Sequence, residues 1–254
     1  ENETVGESAS QLYADARTML DRKKKKKWLR ARAVFGLWPA SGEDEDIVFY
    51  SDETRTTELS RWVGLRQQHK QPAGRFNLAV ADFVGRRDYA GAFAVTAGLG
   101  IDQRIAAFEA ANDDYSAIML KALADRLAEA AAEWLHERIR REIWAYAPEE
   151  SFDNNALIAE QYQGIRPAPG YPACPDHTAK RQLFALLDAP ANAAMELTES
   201  CAMLPAASVS GFFIAHPGAK YFAIPKIGRD QMEDWARRKG MALEEAAYWL
   251  APLL

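Results

Sequence analysis

A proline-rich stretch of the sequence carries the side chains best suited to holding a ligand. Residues 164–178 contain four prolines and two glycines, a composition that argues against a helix or a central strand. Arg166 offers a planar set of donors for a carboxylate or phosphate, Gly170 permits close backbone approach, and Tyr171 adds a ring face and a hydroxyl. The pattern fits a rigid ligand-binding loop or a crossing loop that proline merely stiffens.

Carboxylates form a second candidate group. Asp82 lies in an apolar run, where an unpaired carboxylate is costly to bury. It either meets a ligand ammonium or ends a strand, where it caps a turn or pairs with Arg86 or Arg87. A row of acids at four-residue spacing shares one helix face, which either receives a cation or partner or is simply solvated; its members are Asp125, Glu129, Glu133 and Glu137.

Other chemistry is poorly supported. Cys174 and His177 have a metal-like interval, but a structural zinc site usually needs four ligands and Cys201 is the only other cysteine. The sequence contains no G-x-S-x-G, Walker A or H-E-x-x-H motif, so we expect no catalytic residue and no metal. No G-x-G-x-x-G follows a predicted strand, which disfavours a Rossmann fold.

Composition narrows the class of protein further. The chain has 254 residues, a net charge of −5 and a pI near 5.5, which weigh against a nucleic-acid partner. Two cysteines cannot form a disulfide framework, so we expect a reduced, cytoplasmic protein, and no apolar run is long enough for a membrane span. The lysine run at 23–27 is either a basic patch or a solvated helix end.

Periodicity predicts the elements that position these residues. Helical spacing predicts helices over 5–30, 101–111, 114–146, 154–161, 180–187, 229–239 and 242–250. Short apolar runs predict strands over 31–37, 46–50, 78–84, 91–96, 195–203, 207–215 and 219–224, the first two joined by a long polar loop. This order predicts a single α+β domain with a mostly antiparallel, twisted sheet flanked by helices, preceded by a helical segment over 1–30, so that the domain proper spans 31–254.

The proline-rich stretch also carries a family resemblance. The run from Tyr162 to Thr178 resembles the R-P-A-x-G-Y-P signature of the activation domain of cobalamin-dependent methionine synthase. Further similar segments lie at 122–130, 134–136, 197–200, 208–211 and 236–240, so the resemblance is collinear over nearly the whole chain.

The resemblance implies a function. In this family cobalamin cycles between cob(I)alamin and methylcobalamin and is occasionally oxidised to inactive cob(II)alamin. The activation domain then presents S-adenosylmethionine to the cobalt, and methyl transfer with one electron from a flavodoxin or flavodoxin-like reductase restores methylcobalamin. The full enzyme, a methyltransferase of the cytoplasm, makes methionine from homocysteine and methyltetrahydrofolate.

The resemblance also implies site residues. The S-adenosylmethionine-binding positions would be Asp82, Glu129, Glu160, Arg166, Ala168, Gly170, Tyr171, Tyr221 and Phe222. Phe222 stands where the family has a second tyrosine, so a hydrogen bond through that hydroxyl is absent. We expect Arg166 to pair the ligand carboxylate and Asp82 its ammonium. Facing the cobalamin would be Asp125, Tyr171 and His177, the last of which can instead brace the loop.

The sequence lacks the D-x-H-x-x-G cobalamin motif and a zinc-ligand cysteine cluster. The resemblance therefore implies that cobalamin and zinc belong to other modules, that the cobalamin-binding domain of the same chain is a partner, and that this fragment alone turns nothing over. Two alternatives remain: a non-catalytic docking module for the cobalamin domain and reductase, and a stand-alone methyltransferase on a non-Rossmann fold.

Overall fold

The computed structural model describes residues 3–26, 28 and 30–254, with the side chains of all of these except 3–5 and 22–26. Its centre is a five-stranded antiparallel sheet. Along the chain the strands are β1 (Arg30–Glu43), β2 (Asp46–Tyr50), β3 (Glu58–Trp62), β4 (Asp88–Leu99), β5 (Glu196–Leu197), β6 (Met203–Leu204) and β7 (Ser208–Phe213). The order across the main sheet is β3-β2-β1-β4-β7, and β5 pairs with β6 in a separate two-stranded ribbon.

Strand β4 is buried on both faces, so helices must cover both sides of the sheet. In chain order the helices are α1 (Glu3–Lys26), α2 (Asp102–Ala110), α3 (Asp114–Arg138), α4 (Asn154–Ile158), α5 (Ala179–Leu187), α6 (Ala189–Ala193), α7 (Arg229–Lys239) and α8 (Leu243–Trp249). Phe93 and Val95 of β4 pack with Leu135 of α3, whereas Ala92 and Ala94 share the opposite core with α5 and α6. The alternation of β4 side chains therefore builds a helix–sheet–helix sandwich.

A second core fixes the C-terminal part of the chain. Residues after β3 pack with α7 and α8, and this cluster contains Val63, Leu65, Ile224, Ile227, Met232, Trp235, Ala236, Ala246, Leu250 and Leu253. Phe222 touches both this cluster and the core beneath the sheet. Arg238 of α7 pairs with buried Asp46 at the start of β2 and donates to the carbonyl of Gly64. The chain around Phe222 is thus held between two packed cores.

Helix α3 does not continue to residue 146 as its apolar stripe predicted. It passes into a π turn at Ile139–Ile143, and Ala145 adopts a left-handed conformation with φ 58°. The wider turn carries Arg140 into the interior, where it is fully buried. π turns are rare and are frequently found at functional sites.

Other predicted elements need correction. The apolar run at 78–84 is not a strand, because Val80–Phe83 forms a 3-10 turn whose Asp82 carboxylate accepts the N–H of Ala79. The run at 219–224 belongs to no strand. Of the predicted strand at 195–203, only Glu196–Leu197 and Met203 lie in strands, the paired β5 and β6. Strand β1 reaches Glu43, so a tight turn replaces the predicted long loop before β2. Strand β3 and helix α6 were not predicted, and α4 ends before the predicted residue 161.

The predicted fold class is confirmed: helices flank an antiparallel sheet, and the strand order differs from that of a Rossmann domain. Helix α1 lies against α3, where the Tyr115 hydroxyl donates to Asp15, and it ends at Lys26. The side chains of the lysine run lie outside the described residues, and the division at residue 30 stays a prediction. Among the described helices, none combines the length and apolarity that crossing a bilayer requires.

Candidate functional site

The proline-rich loop is fixed along the free edge of β7. Ile165 and Ile214 exchange backbone hydrogen bonds of 2.9 and 3.0 Å, and the N–H of Phe212 donates to the carbonyl of Pro167 at 2.9 Å. Proline has no N–H, so it suits an edge position where only its carbonyl is used. The loop approaches the strand closely, because a Cβ at Gly211 would lie 2.7 Å from the Pro167 oxygen. The start of the loop thereby acts as an added strand, which fixes the position of Arg166.

Gly170 forms the sharp bend of the loop. Its φ is +97°, and its N–H donates to the carbonyl of Cys174 at 2.7 Å. A Cβ at this position would lie 2.3 Å from the imidazole ring of His177. Both the backbone conformation and the packing therefore require glycine here.

A cleft of about 580 Å³ opens between the loop, helix α3 and the chain around residue 222. This volume lies in the range of ligand sites for small organic molecules. Its walls combine aromatic and aliphatic surface with a few polar groups; they include Phe93, Glu129, Glu160, Arg166, Ala168, Tyr171, Val209, Tyr221 and Phe222. Seven of the nine positions predicted to bind one ligand therefore line a common cavity.

Arg166 is anchored within this cleft by neighbours from α3 and the loop. Its Nη2 lies 2.6 Å from a carboxylate oxygen of Glu133, and its Nη1 lies 3.2 Å from both the Tyr162 hydroxyl and His136 Nδ1. The backbone N–H of Arg166 donates to the Tyr221 hydroxyl at 3.0 Å. The described contacts leave part of the five-donor guanidinium available to a ligand.

His136 is the buried base of this cluster. Since a guanidinium has only donors, His136 Nδ1 must accept from Arg166, and the imidazole is neutral with its proton on Nε2. The ring stacks on Phe213 at 5.3 Å. Burial, then the charges of Arg140 and Arg166, lower the pKa of His136 well below its usual value. Burial likewise raises the pKa of Tyr162, so its phenol stays protonated and uncharged.

The acidic walls of the cleft are Glu129 and Glu160. Glu129 pairs with Arg126 one turn earlier on α3, at 2.9 Å. Glu160 is exposed, has φ +53°, and makes no side-chain hydrogen bond or ion pair within the described part of the chain. Because Glu133 neutralises Arg166, Glu160 leaves the cleft with an excess of negative charge.

Asp82 and Gly170 are not among the residues that line this cleft. The Asp82 carboxylate accepts two hydrogen bonds of 2.8 Å from Arg66, which also pairs with Glu45 at 2.7 Å. The prediction that Asp82 pairs with Arg86 or Arg87 was wrong, because the arginine that donates to its carboxylate is Arg66. Asp82 and Arg166 thus line no common cavity, which leaves the pairing of Asp82 with a ligand ammonium unsupported.

A second, smaller cleft of about 310 Å³ adjoins the first across Tyr171. It is lined by all three residues predicted to face cobalamin, Asp125, Tyr171 and His177, and by Gly170. Lys180 of α5 lies 2.7 Å from His177 Nδ1, and burial, then the Lys180 charge, lower the pKa of His177. Tyr171 is 63% exposed, so its ring forms the rim between the two clefts.

Comparison with known proteins identifies the family. The family model for the vitamin B12 dependent methionine synthase activation domain matches residues 1–240. A crystal structure of the MetH reactivation domain bound to AdoHcy superposes with a TM-score of 0.96 and 53% sequence identity, covering 100% of this chain and 79% of that one. The chain belongs to the activation domain family of vitamin B12-dependent methionine synthase. This family is part of a cobalamin-dependent methyltransferase.

Sequence reasoning missed the residues behind Arg166 in this activation domain. Glu133 was seen only as one of a row of helix carboxylates, and His136 only as part of a similar segment. The row is not one solvated face: Glu133 points inward to Arg166, whereas Glu137 pairs with Arg141 at 2.8 Å near the surface. The inward direction of Glu133 depends on the packing of α3, which a four-residue repeat does not reveal.

The two cysteines of the activation domain are free and buried. Burial raises the pKa of the Cys174 thiol well above its usual value, which suits a packed core residue better than a nucleophile. Within the described residues no group of three or more His, Cys, Asp or Glu side chains is arranged to hold a metal ion.

The bend at Gly170 generates a stability prediction. We expect Gly170→Ala to lower the free energy of unfolding by more than the ~1–3 kcal/mol typical of backbone strain, because the new methyl group also displaces His177. Urea unfolding measures the change. Gly100→Ala is the matched control, since Gly100 has φ +82° with nothing within 4 Å of a Cβ. Equal losses in the two variants would contradict the contact with His177.

Buried, neutral His136 generates a pH prediction. Its pKa in the folded protein is below the value of 6.5 in the unfolded chain, so the unfolded chain binds the extra proton. Stability from this residue is complete above about pH 6.5 and falls on acidification, with a limiting slope of about 1.4 kcal/mol per pH unit. Urea unfolding between pH 7.5 and 5.5 should show a shallower slope in His136→Gln. The more exposed His177 serves as comparison, and an equal flattening in His177→Gln would contradict the assignment.

Proposed function

We propose that this activation domain binds S-adenosylmethionine in the Arg166 cleft and presents the methyl group to cobalamin held by another domain of the same enzyme. The observation that carries the proposal is the convergence of Arg166, Glu160 and four aromatic side chains on one cavity of suitable size. Family membership and the AdoHcy bound to the similar MetH domain support it, because AdoHcy is the demethylated form of this ligand.

The chemistry of the cleft suggests an orientation. The carboxylate of the ligand pairs with the donors of Arg166 that Glu133 leaves available, through charge-assisted hydrogen bonds. The sulfonium lies near Glu160 and Glu129, whose charges favour a cation. The open backbone at Ala168 contacts the adenine edge, beside the aromatic ring faces of the cleft walls.

The ammonium of the ligand has two candidate partners. Glu160 lines the cleft and has no competing cation in the described chain, so the geometry favours it. Asp82 was the sequence-based prediction, and its carboxylate is already shared between Arg66 and the N–H of Ala79. Phe83, the residue after Asp82, lies 6.4 Å from Phe222 between ring centroids, and Phe222 lines the cleft.

The protein's part in the reaction is orientation and electrostatics. Cobalamin, when bound by its own domain, supplies the metal centre that accepts the methyl group, with one electron from a flavodoxin-type reductase. No proton moves in methyl transfer, so the neutral His136 and the protonated Tyr162 are suited to hold Arg166 rather than to act as general bases. Conversion of homocysteine to methionine with methyltetrahydrofolate, and the zinc it uses, belong to other modules in this proposal.

The second cleft is the proposed contact with the cobalamin-bearing domain. Its residues Asp125, Tyr171 and His177 form a partly polar surface that meets the first cleft at the Tyr171 rim. A methyl group held in the first cleft therefore lies next to a surface open to a large partner. In the proposed cytoplasmic enzyme this arrangement lets two ligands approach from the two sides of Tyr171.

Binding measured by calorimetry tests the proposal directly. S-Adenosylmethionine should bind the isolated activation domain, and Arg166→Ala should weaken binding by about 10–100-fold, as loss of a charge-assisted contact predicts. At about 100 times its Kd the ligand should add about 2.7 kcal/mol of stability. An absence of both binding and stabilisation would favour the alternative of a docking module without a ligand.

The acidic wall yields a separate prediction about ligand charge. Glu160→Gln should lower the affinity for cationic S-adenosylmethionine more than for S-adenosylhomocysteine, which lacks the sulfonium charge. The ratio of the two dissociation constants, measured at low ionic strength, reports this preference. Asp82→Asn is the comparison, and a larger loss of affinity there would restore Asp82 as the partner of the ammonium. A ratio unchanged by Glu160→Gln would contradict an interaction of Glu160 with the sulfonium, and an unchanged affinity for both ligands would contradict its pairing with the ammonium.

A further inference from the structure

A chain of alternating charges runs from the buried interior to the cleft. Arg140 is fully buried and donates three hydrogen bonds of 2.6–2.9 Å to Glu150, which is itself buried. On its other side, Arg140 Nη1 faces a Glu133 oxygen at 3.8 Å, and the second Glu133 oxygen holds Arg166 at 2.6 Å. The order of charges is thus Glu150, Arg140, Glu133 and Arg166.

Glu133 is the member that separates two like charges. Both guanidiniums lie over the ring of Tyr162, Arg140 at 4.3 Å and Arg166 at 5.8 Å from its centroid. Both cations lie next to the same Glu133 carboxylate, so they repel each other where burial weakens solvent screening. Arg140 has Glu150 as its own partner, whereas Glu133 is the acid that the described structure places on Arg166.

The contact between Glu133 and Arg140 is electrostatic. Glu133 Oε1 and Arg140 Nη1 are both buried, and neither makes a hydrogen bond to another described residue. A buried polar atom without a hydrogen bond is costly, and here each of the two atoms faces the opposite charge of the other. Arg140 belongs to the π turn at Ile139–Ile143, which follows α3.

We propose that Glu133 is a positioning residue that gives the cleft its selectivity for ligands with a free carboxylate, by holding Arg166 in place against repulsion from Arg140. This inference rests on the proposed function and deepens it. Neutralising Glu133 leaves Arg140 and Arg166 facing each other without the charge between them, so Arg166 moves out of register with the ligand carboxylate. The rest of the cleft, which contacts the adenosine and sulfonium parts, is unaffected.

A pair of ligands isolates the carboxylate contact. Decarboxylated S-adenosylmethionine keeps the adenosine, sulfonium and ammonium groups and lacks only the carboxylate. We expect Glu133→Gln to weaken calorimetric binding of S-adenosylmethionine about tenfold while changing that of the decarboxylated ligand by less than about twofold. The matched control is Glu137→Gln, one turn along α3, where the glutamate pairs with Arg141 at the surface.

The outcomes separate this inference from the proposed function. Equal losses for both ligands would mean that Glu133 only supports the fold, and no loss for either would mean that Arg166 needs no anchor; each result overturns the inference. Wild-type protein that binds neither ligand overturns the proposed function itself. If Glu133→Gln does not fold, Glu133→Asp retains the charge but withdraws it by one methylene, and the same selective loss is expected.

Discussion

The backbone pairing between residues 165–167 and strand β7 is the constraint on which the site depends. Through it the sheet positions Arg166, and the rest of the proline-rich loop extends from that point over the two clefts. A loop held by sheet hydrogen bonds and stiffened by proline has little freedom to lose when a ligand binds. The close approach at Gly211 is a consequence of this arrangement, since a side chain there would push the loop away from the strand.

Much of this fold follows from the sequence, and the errors have physical causes. Helix α3 was predicted from its apolar stripe and strand β7 from a short apolar run, because both patterns record burial. Residues 219–224 have a strand-like composition, but they are apolar because Phe222 fills a gap between two cores. Their backbone turns instead to the loop, where Ile224 donates to the carbonyl of Pro172. Periodicity records burial, and it does not record which partner accepts the hydrogen bonds.

The candidate site, too, could be predicted only in part from the sequence. The composition of the loop was enough to single out Arg166, Gly170 and Tyr171, and the family resemblance added residues from distant segments that the structure gathers on one cleft. Neither the loop composition nor the family resemblance indicated that Arg66 pairs with Asp82, because the 3-10 turn at Val80–Phe83 brings these two residues together. Ion pairs of this kind depend on side-chain directions in three dimensions, and no spacing rule along the chain encodes them.

The charges show how an arginine suits a cleft whose proposed ligand is a cation. S-Adenosylmethionine carries a sulfonium and an ammonium against one carboxylate, so an isolated buried arginine would repel it as a whole. Glu133 cancels the charge of Arg166 while leaving some of its N–H donors available, and Glu160 then makes the electrostatic potential of the cleft negative. The same guanidinium can thereby recognise a carboxylate by geometry without opposing the cation by charge. Loss of the methyl group removes the sulfonium charge, so the negative cleft attracts the demethylated ligand less strongly.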